Sequence, residues 1–443
     1  MTRNAITEKY LAAIRRPVPV SPITEMMELF YKANMLPRPL LLERQEVARL
    51  HADVENLRSA LISLPDKVFG GDVAAFARAV GMTEVQVEAI LRSQGSTPTR
   101  LSRADLYLDE AGFRVLEYNM GSTLGGLDAS DICANMLTDP ELAAFAREHE
   151  LTYADSFSEH LNTICAETGQ ARDSRPMIAL TDWPSSFETL GPYVEVVARR
   201  WSTLGFDARA CHIGELSVRD GRVWLRGQPV DVVNRLFMLE DLMESPQARD
   251  LMFPVLDAAR RGEVTIFTPM DSELYASKGA LALLSDEANR HLWTARERES
   301  LDRILPWTRM VRRGEVTLDT GERADLLDYA VEHQHELALK PVSLHGGIGV
   351  ILGWLDETSP EEWRRQVTAA IDGPFVLQRR VRPVPELMPA SDGELVPWIA
   401  SWGMFTVDAG FGGLWIRAVP EDTKAGVINL NQGAAIGCAL WTA

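Results

Sequence analysis

The chain has 443 residues, 46% of them hydrophobic and 24% charged, with a net charge of −18 at pH 7. That length calls for two or three packed lobes rather than one core. The acidic balance, with no stripe of Lys and Arg, excludes a nucleic-acid binder, and four scattered cysteines without a CxxC (Cys133, Cys165, Cys211, Cys438) exclude a disulfide framework or a zinc site and leave buried thiols. No apolar run approaches the length of a bilayer span and the first residues lack a signal-peptide apolar region, so a cytoplasmic protein with no membrane partner is expected.

Helix-period patterns at 23–31 and 43–64, separated by proline-rich breaks, predict a helical N-terminal region over residues 1–98. Its helices would serve as a substrate lid or as the face of a homodimer.

The next unit, 99–170, opens with Arg103-Ala-Asp105 and, beyond Asp109 to Gly112, Glu117-Tyr-Asn119. Apolar and polar residues alternate on both sides of that turn, which predicts a hairpin. With Glu110, Ala111 and Gly112 as a three-residue loop, Asp109 pairs with Phe113, Asp105 faces Glu117 and Arg103 faces Asn119. Strand periodicity then sets all four side chains on one face. Like charges placed opposite each other repel, so a cation over that face is expected. Two carboxylates and one amide form an all-oxygen set suited to Mg²⁺, and an ion-pair cluster centred on Arg103 is the alternative. The glycine-rich run 121–126 follows, and then a helical stretch over 129–167 that Pro140 divides into two helices.

Residues 171–270 read as an open α/β lobe. Apolar strands at 177–181, 208–212, 230–236 and 264–268 alternate with helices at 192–204 and 250–260, which calls for partly parallel pairing. Arg235 ends one of these strands, where a buried cation needs an acid or a ligand.

Residues 271–443 carry two of only six lysines at apolar positions. Lys278 opens a helix, where it would either point into a cleft or cap a solvated helix start. Lys340 ends the strand 337–340 and leads into Pro341-Val-Ser343-Leu-His-Gly346-Gly347-Ile-Gly349, a strand followed by a glycine loop of the kind that lets backbone N–H groups cradle phosphate oxygens. A glycine-rich hairpin tip is the plainer reading. A strand at 349–354, a helix at 360–371 and a strand at 375–379 follow, and the last of these would border an apolar slot suited to a purine. Alternating apolar and Gly residues from 398 to 443 predict antiparallel strands, with Arg417, Asn429 and Asn431 either at a cleft or at sheet ends.

Arg-x-Asp, a Glu-x-Asn twelve residues beyond that Asp, then a helix-start Lys, a Lys-Pro with a glycine loop, a strand ending in Gln and a late Arg together resemble circularly permuted ATP-grasp ligases of the glutathionylspermidine synthase type. The resemblance runs from about residue 100 to the end. It implies an α/β (α+β) ATP-grasp fold with a helical N-terminal region and an open α/β pre-ATP-grasp lobe. It also implies that Asp105, Glu117 and Asn119 hold Mg²⁺ (or Mn²⁺) and that Arg103 contacts the transferred phosphoryl group. Lys278 and Lys340 would bind ATP phosphates under the loop from Ser343 through Gly346 and Gly347 to Gly349, and Val376, Leu377 and Gln378 would meet the adenine. The ending that carries Arg417 is similar to an uncharacterised permuted branch in which this Arg and the following Asn group line the reaction centre.

The loop after Lys-Pro departs from the synthase pattern, having Leu344-His-Gly-Gly347 where the family has Gly-Arg-Glu-Gly, and no Cys-dependent amidase is present. Glutathione and spermidine are therefore not the expected substrates. The expected activity is ADP-forming amide-bond formation between an amino-acid or peptide carboxylate and an amine co-substrate, in specialised metabolism. Arg417 or Arg235 would steady the carboxylate or the oxyanion, and Ser122, Thr123 and Gly125 would touch the acid substrate. A small-molecule carboxylate kinase and a non-catalytic ATP-binding module are the alternatives.

Overall fold

The structure, a computed structural model, describes residues 4–93, 97–243, 247–344, 346–423 and 426–443. Its largest sheet joins the two ends of the described chain. The hairpin strands Ser102–Asp109 and Gly112–Met120 pair through the first of them with Leu395–Val407. That strand pairs with Gly410–Pro420, which pairs with Ala435–Thr442, and Leu40–Leu42 adds a parallel edge. The antiparallel ending expected from the glycine-spaced alternation is present.

The alternation also sorts this sheet's two faces. Ala104, Leu106, Trp402, Met404, Leu414 and Ile416 enter one apolar core together with Val54, Leu57 and Leu61 of the long helix Arg44–Ile62. Trp402, 1% exposed, alone contributes about 2–3 kcal/mol by its removal from water. The residues between them, Arg103, Asp105, Ser401 and Arg417, therefore share the other face.

The hairpin turn is tighter than expected. Asp109 pairs with Gly112, leaving Glu110 and Ala111 as a two-residue loop, because the Asp109 carboxylate accepts from the N–H groups of both Ala111 and Gly112 at 2.8 and 2.9 Å. A bulge then restores the register. Leu106 pairs with Val115 and Asp105 with Glu117, so Leu116 is the extra residue, and Arg103 meets Asn119.

A second sheet, in the order Thr265–Phe267, Val232–Arg235, Met177–Asp182, Asp207–His212, is parallel throughout, as expected for buried strands linked by helices. The linking helices Pro184–Thr203 and Ala248–Arg260 begin earlier than the sequence suggests, each passing over an internal proline. A third, antiparallel sheet orders Thr308–Met310, Phe375–Arg379, Leu337–Pro341 and Ile351–Leu352.

Two expectations need correction. The stretch 129–167 forms three helices, Ala129–Met136, Pro140–Glu148 and Ser156–Thr168, since Asp139 and Asp155 each cap a new start. The sequence pattern of 324–336 predicts one helix leading into the strand 337–340, and the structure divides it. Arg323–Asp325 is a short strand, and Asp325 caps Leu326–Glu332. No disulfide joins the four cysteines; Cys133, Cys211 and Cys438 are buried and Cys165 is half-buried. Among the described residues no helix is long and apolar enough to cross a membrane.

Candidate active site

The polar face of the large sheet forms one wall of a cavity of about 610 Å³, and the third sheet and the carboxyl ends of the parallel strands form the others. At its centre Arg103 grips Asp105 with both arms of its guanidinium, Nε to Oδ1 at 2.6 Å and Nη2 to Oδ2 at 3.0 Å. From two strands away, across Leu395–Val407, Arg417 reaches the same Oδ2 at 2.9 Å. The two guanidinium carbons lie 5.0 and 4.9 Å from the ring of Trp415, which thus serves as a shared platform. Two glycines make room for this stack. A Cβ on Gly126 would stand 2.2 Å from the Trp415 ring, and one on Gly403 would stand 2.8 Å from Arg103 Cδ.

Asn119 Nδ2 donates to Glu117 Oε1 at 3.1 Å and lies 3.4 Å from Asp105 Oδ2, so the two acids and the amide form one cluster. Lys278 Nζ sits 3.1 Å from Glu117 Oε2 and donates to the Leu344 carbonyl at 2.9 Å. The second lysine, Lys340, donates to Gln378 Oε1 at 2.5 Å and to the carbonyl of the bulged Leu116 at 3.4 Å. Burial, with Lys278 close by, pulls the Lys340 ammonium down to about 8. Four cations therefore face two carboxylates, a local positive excess within a strongly acidic chain. Arg417 Nε, buried with no hydrogen-bond partner among the described residues, is one donor left over for an anion.

Among the described residues no group of three or more His, Cys, Asp or Glu side chains is placed to hold a metal ion. The hairpin offers two carboxylates and an amide, a partial oxygen shell of the kind Mg²⁺ completes with water or phosphate. The donor set fits that ion.

The glycine loop lines the cavity mouth through Gly346, Gly347 and Ile348. Asn429 Nδ2 donates to the Gly346 carbonyl at 2.8 Å, and a Cβ on Gly347 would meet Val427 at 2.9 Å. The loop is thus held against the segment 426–430. His345 and the side chain of Asn431 lie outside the described residues.

Other sequence candidates fall away from the cavity or border it with their polar groups already engaged. Ser343 lines a small neighbouring hollow beside Gln86. Gly349, in the left-handed region at φ +70°, packs on Pro341. Val376 and Leu377 are fully buried behind the strand, in clusters with Val342 and Trp307, and only Gln378 reaches the cavity. Ser122 is buried and donates to the Arg235 carbonyl. Thr123 and Gly125 do line the cavity, but Thr123 Oγ1 donates to the Leu236 carbonyl at 2.7 Å and the Gly125 carbonyl accepts from Arg103 Nη1 at 2.9 Å. Arg235 borders the cavity with its guanidinium spent on Glu273 and on the carbonyls of Phe237 and Thr268.

An apolar slot was expected beside the strand 375–379, but sequence reasoning did not name the residues that line it next to Gln378, namely Ala338, Leu352, Trp354 and Val381, with Arg380 over Trp354 at 4.5 Å. Ala338 could have been found, since it lies two residues before Lys340 on the same strand face. The pairing of Trp354 with Arg380 joins two loops and leaves no local trace.

No protein-family model matches the chain, and no curated protein does. Among solved structures, a glutathione synthetase-like effector from Globodera pallida matches with a TM-score of 0.55 at 12% identity, over 91% of this chain and 89% of that one. A putative gamma-glutamylcysteine synthetase from Methylobacillus flagellatus KT matches at 0.43 and 10% identity, over 91% and 90%. D-alanyl-alanine synthetase A from Vibrio cholerae O1 biovar eltor matches at 0.28 and 11%, over 57% and 69%. The first likeness is one of fold, and the chain has the α/β ATP-grasp fold, with a helical N-terminal region and an open parallel lobe beside it.

Proposed function

We propose that the protein is an ATP-dependent, ADP-forming carboxylate–amine ligase acting on amino acids or small peptides. The observation that carries this reading is the convergence of Asp105, Glu117 and Asn119 with Lys278, Lys340, Arg103 and Arg417 on one cavity. The acids precede the lysines in the chain yet lie on a sheet completed by its last strands, which supports reading it as a circularly permuted ATP-grasp enzyme.

Asp105, Glu117 and Asn119 would hold Mg²⁺, which when bound offsets charge on the phosphate oxygens. Lys278 and Lys340 take the phosphates under the glycine loop, and the slot beside Gln378 takes the adenine. A substrate carboxylate oxygen attacks the γ-phosphorus, the bond to the bridging oxygen breaks, and ADP leaves with that electron pair. The amine then attacks the acyl-phosphate carbonyl, loses a proton and expels inorganic phosphate, which carries away one former carboxylate oxygen. Arg103 and Arg417, fixed on Asp105 and Trp415, stabilise the phosphoryl charge and then the tetrahedral oxyanion. Only positioning and charge are asked of the protein.

The test is mass spectrometry of the purified protein with Mg-ATP and pooled amino acids. The expected result is ADP together with a product one water lighter than two substrates. A phosphorylated product formed without an amine would replace this reading with a kinase.

A further inference from the structure

One end of the cavity lies beyond the acids, at the carboxyl ends of the parallel strands, where open α/β sheets present their ligand crevice. Three apolar side chains from separate elements line the cavity there. Leu124 comes from the glycine-rich run, Leu190 from the helix Pro184–Thr203 that follows the strand Met177–Asp182, and Met238 from the segment after Val232–Arg235. Leu190 is 42% exposed, and Ile348 on the glycine loop, which also lines the cavity, is 68% exposed. Ligand pockets are lined mainly by apolar side chains with a few placed polar groups, and large apolar side chains on a cavity lining suit an apolar group of a ligand.

The backbone that presents Met238 is rigidly tied. Arg235 Nη1 donates to the Phe237 carbonyl at 2.6 Å, Leu239 N to Glu273 Oε2 at 2.8 Å, Gln86 Nε2 to the Leu239 carbonyl at 3.0 Å, and Met238 N to Asp241 Oδ2 at 2.6 Å. Arg235 and Glu273 are thus spent on each other and on this shelf. Glu240 also lines this end of the cavity and borders the small hollow beside Gln86 and Ser343.

We infer that Leu124, Leu190 and Met238 form the subsite for an apolar side chain on one of the two joined substrates, so that an aliphatic or aromatic amino acid is a preferred partner. Arg235 is the positioning residue of that subsite. The inference rests on the ligase reading and narrows its substrate class.

The test measures ADP release with Mg-ATP and amino acids supplied in pairs, for the wild type and for Leu190→Glu, a change at an exposed position that leaves the core intact. Wild type should turn over at least about tenfold faster with pairs containing Leu, Met or Phe than with pairs of charged amino acids. Leu190→Glu should raise KM for the apolar partner by about tenfold or more with KM for ATP unchanged. Equal turnover with charged pairs, or an unaltered KM in Leu190→Glu, overturns the subsite while the ligase reading stands. A preference for Lys or a polyamine that disappears in Glu240→Gln also overturns it. No ADP from wild type with any pair overturns the ligase reading, and this inference with it.

Discussion

Arg417, on the penultimate strand of the large sheet, donates to Asp105 Oδ2 at 2.9 Å, the same oxygen that Arg103 Nη2 holds at 3.0 Å. The late arginine and the early acid thus belong to one ion-pair network. Because both guanidinium groups are fixed before any ligand arrives, Asp105 is at once a metal ligand in the proposed chemistry and the anchor of the site. Truncating it would strand two cations in a buried setting, a change that costs about 3–5 kcal/mol. Asp105 is therefore a poor residue with which to separate folding from chemistry.

Glu117 is the better choice, since its side chain is 21% exposed and pairs with Lys278 and Asn119. Glu117→Gln is expected to lower kcat by about 100-fold or more while the thermal midpoint stays close to that of wild type. Steady-state ADP release alongside a melting curve checks both.

The pH dependence follows from Lys340, whose ammonium is held down to about 8 by burial and by Lys278. In the free protein the charge that binds phosphate is lost as pH rises through about 8, so kcat/KM for ATP should fall above that value. Lys340→Arg, which stays charged, should move this limb upward. Stability carries the opposite sign. The folded value lies below that of the unfolded chain, so the unfolded state binds more protons between the folded value and the ordinary lysine range, and this group's contribution makes the fold more stable as pH rises there. Rate profiles and denaturant melts across that range measure the two effects separately.

Trp415 supports both guanidinium groups at about the same distance. Two such contacts at about 0.5–1 kcal/mol each predict that Trp415→Leu lowers kcat by roughly 5- to 30-fold with little change in KM for ATP, and that Trp415→Phe recovers most of the loss. A fall in both variants to the same level would assign the ring to packing alone.

How much of this was legible in the sequence depends on how local the signal is. The facing of Asp105 with Glu117 and of Arg103 with Asn119 followed from alternation, although the expected loop was one residue too long and the bulge at Leu116 made up the difference. The adjacent apolar pair Val115-Leu116, which breaks the alternation, was the visible trace of that bulge. Lys278 and Lys340 stood out because lysine is scarce at apolar positions. By contrast, the pairing of Leu40–Leu42 with Ala435–Thr442 joins distant segments, and the shelf carrying Met238 is fixed by groups from three parts of the chain. Neither leaves a periodic signal.

Asn429 ties the glycine loop to the segment beside it through a 2.8 Å bond to the Gly346 carbonyl. One such bond is worth about 1 kcal/mol, so Asn429→Ala should raise KM for ATP by roughly fivefold and leave the fold unchanged. Isothermal titration with a non-hydrolysable ATP analogue reads this directly.

The central claim is that the γ-phosphate of ATP activates a carboxylate. Its most direct test is to supply the acid substrate labelled with ¹⁸O in its carboxylate and to follow the label into the phosphorus products by mass spectrometry. One labelled oxygen in the released inorganic phosphate, with ADP as the nucleotide, is the predicted result. Label appearing in AMP, with pyrophosphate released, would contradict it.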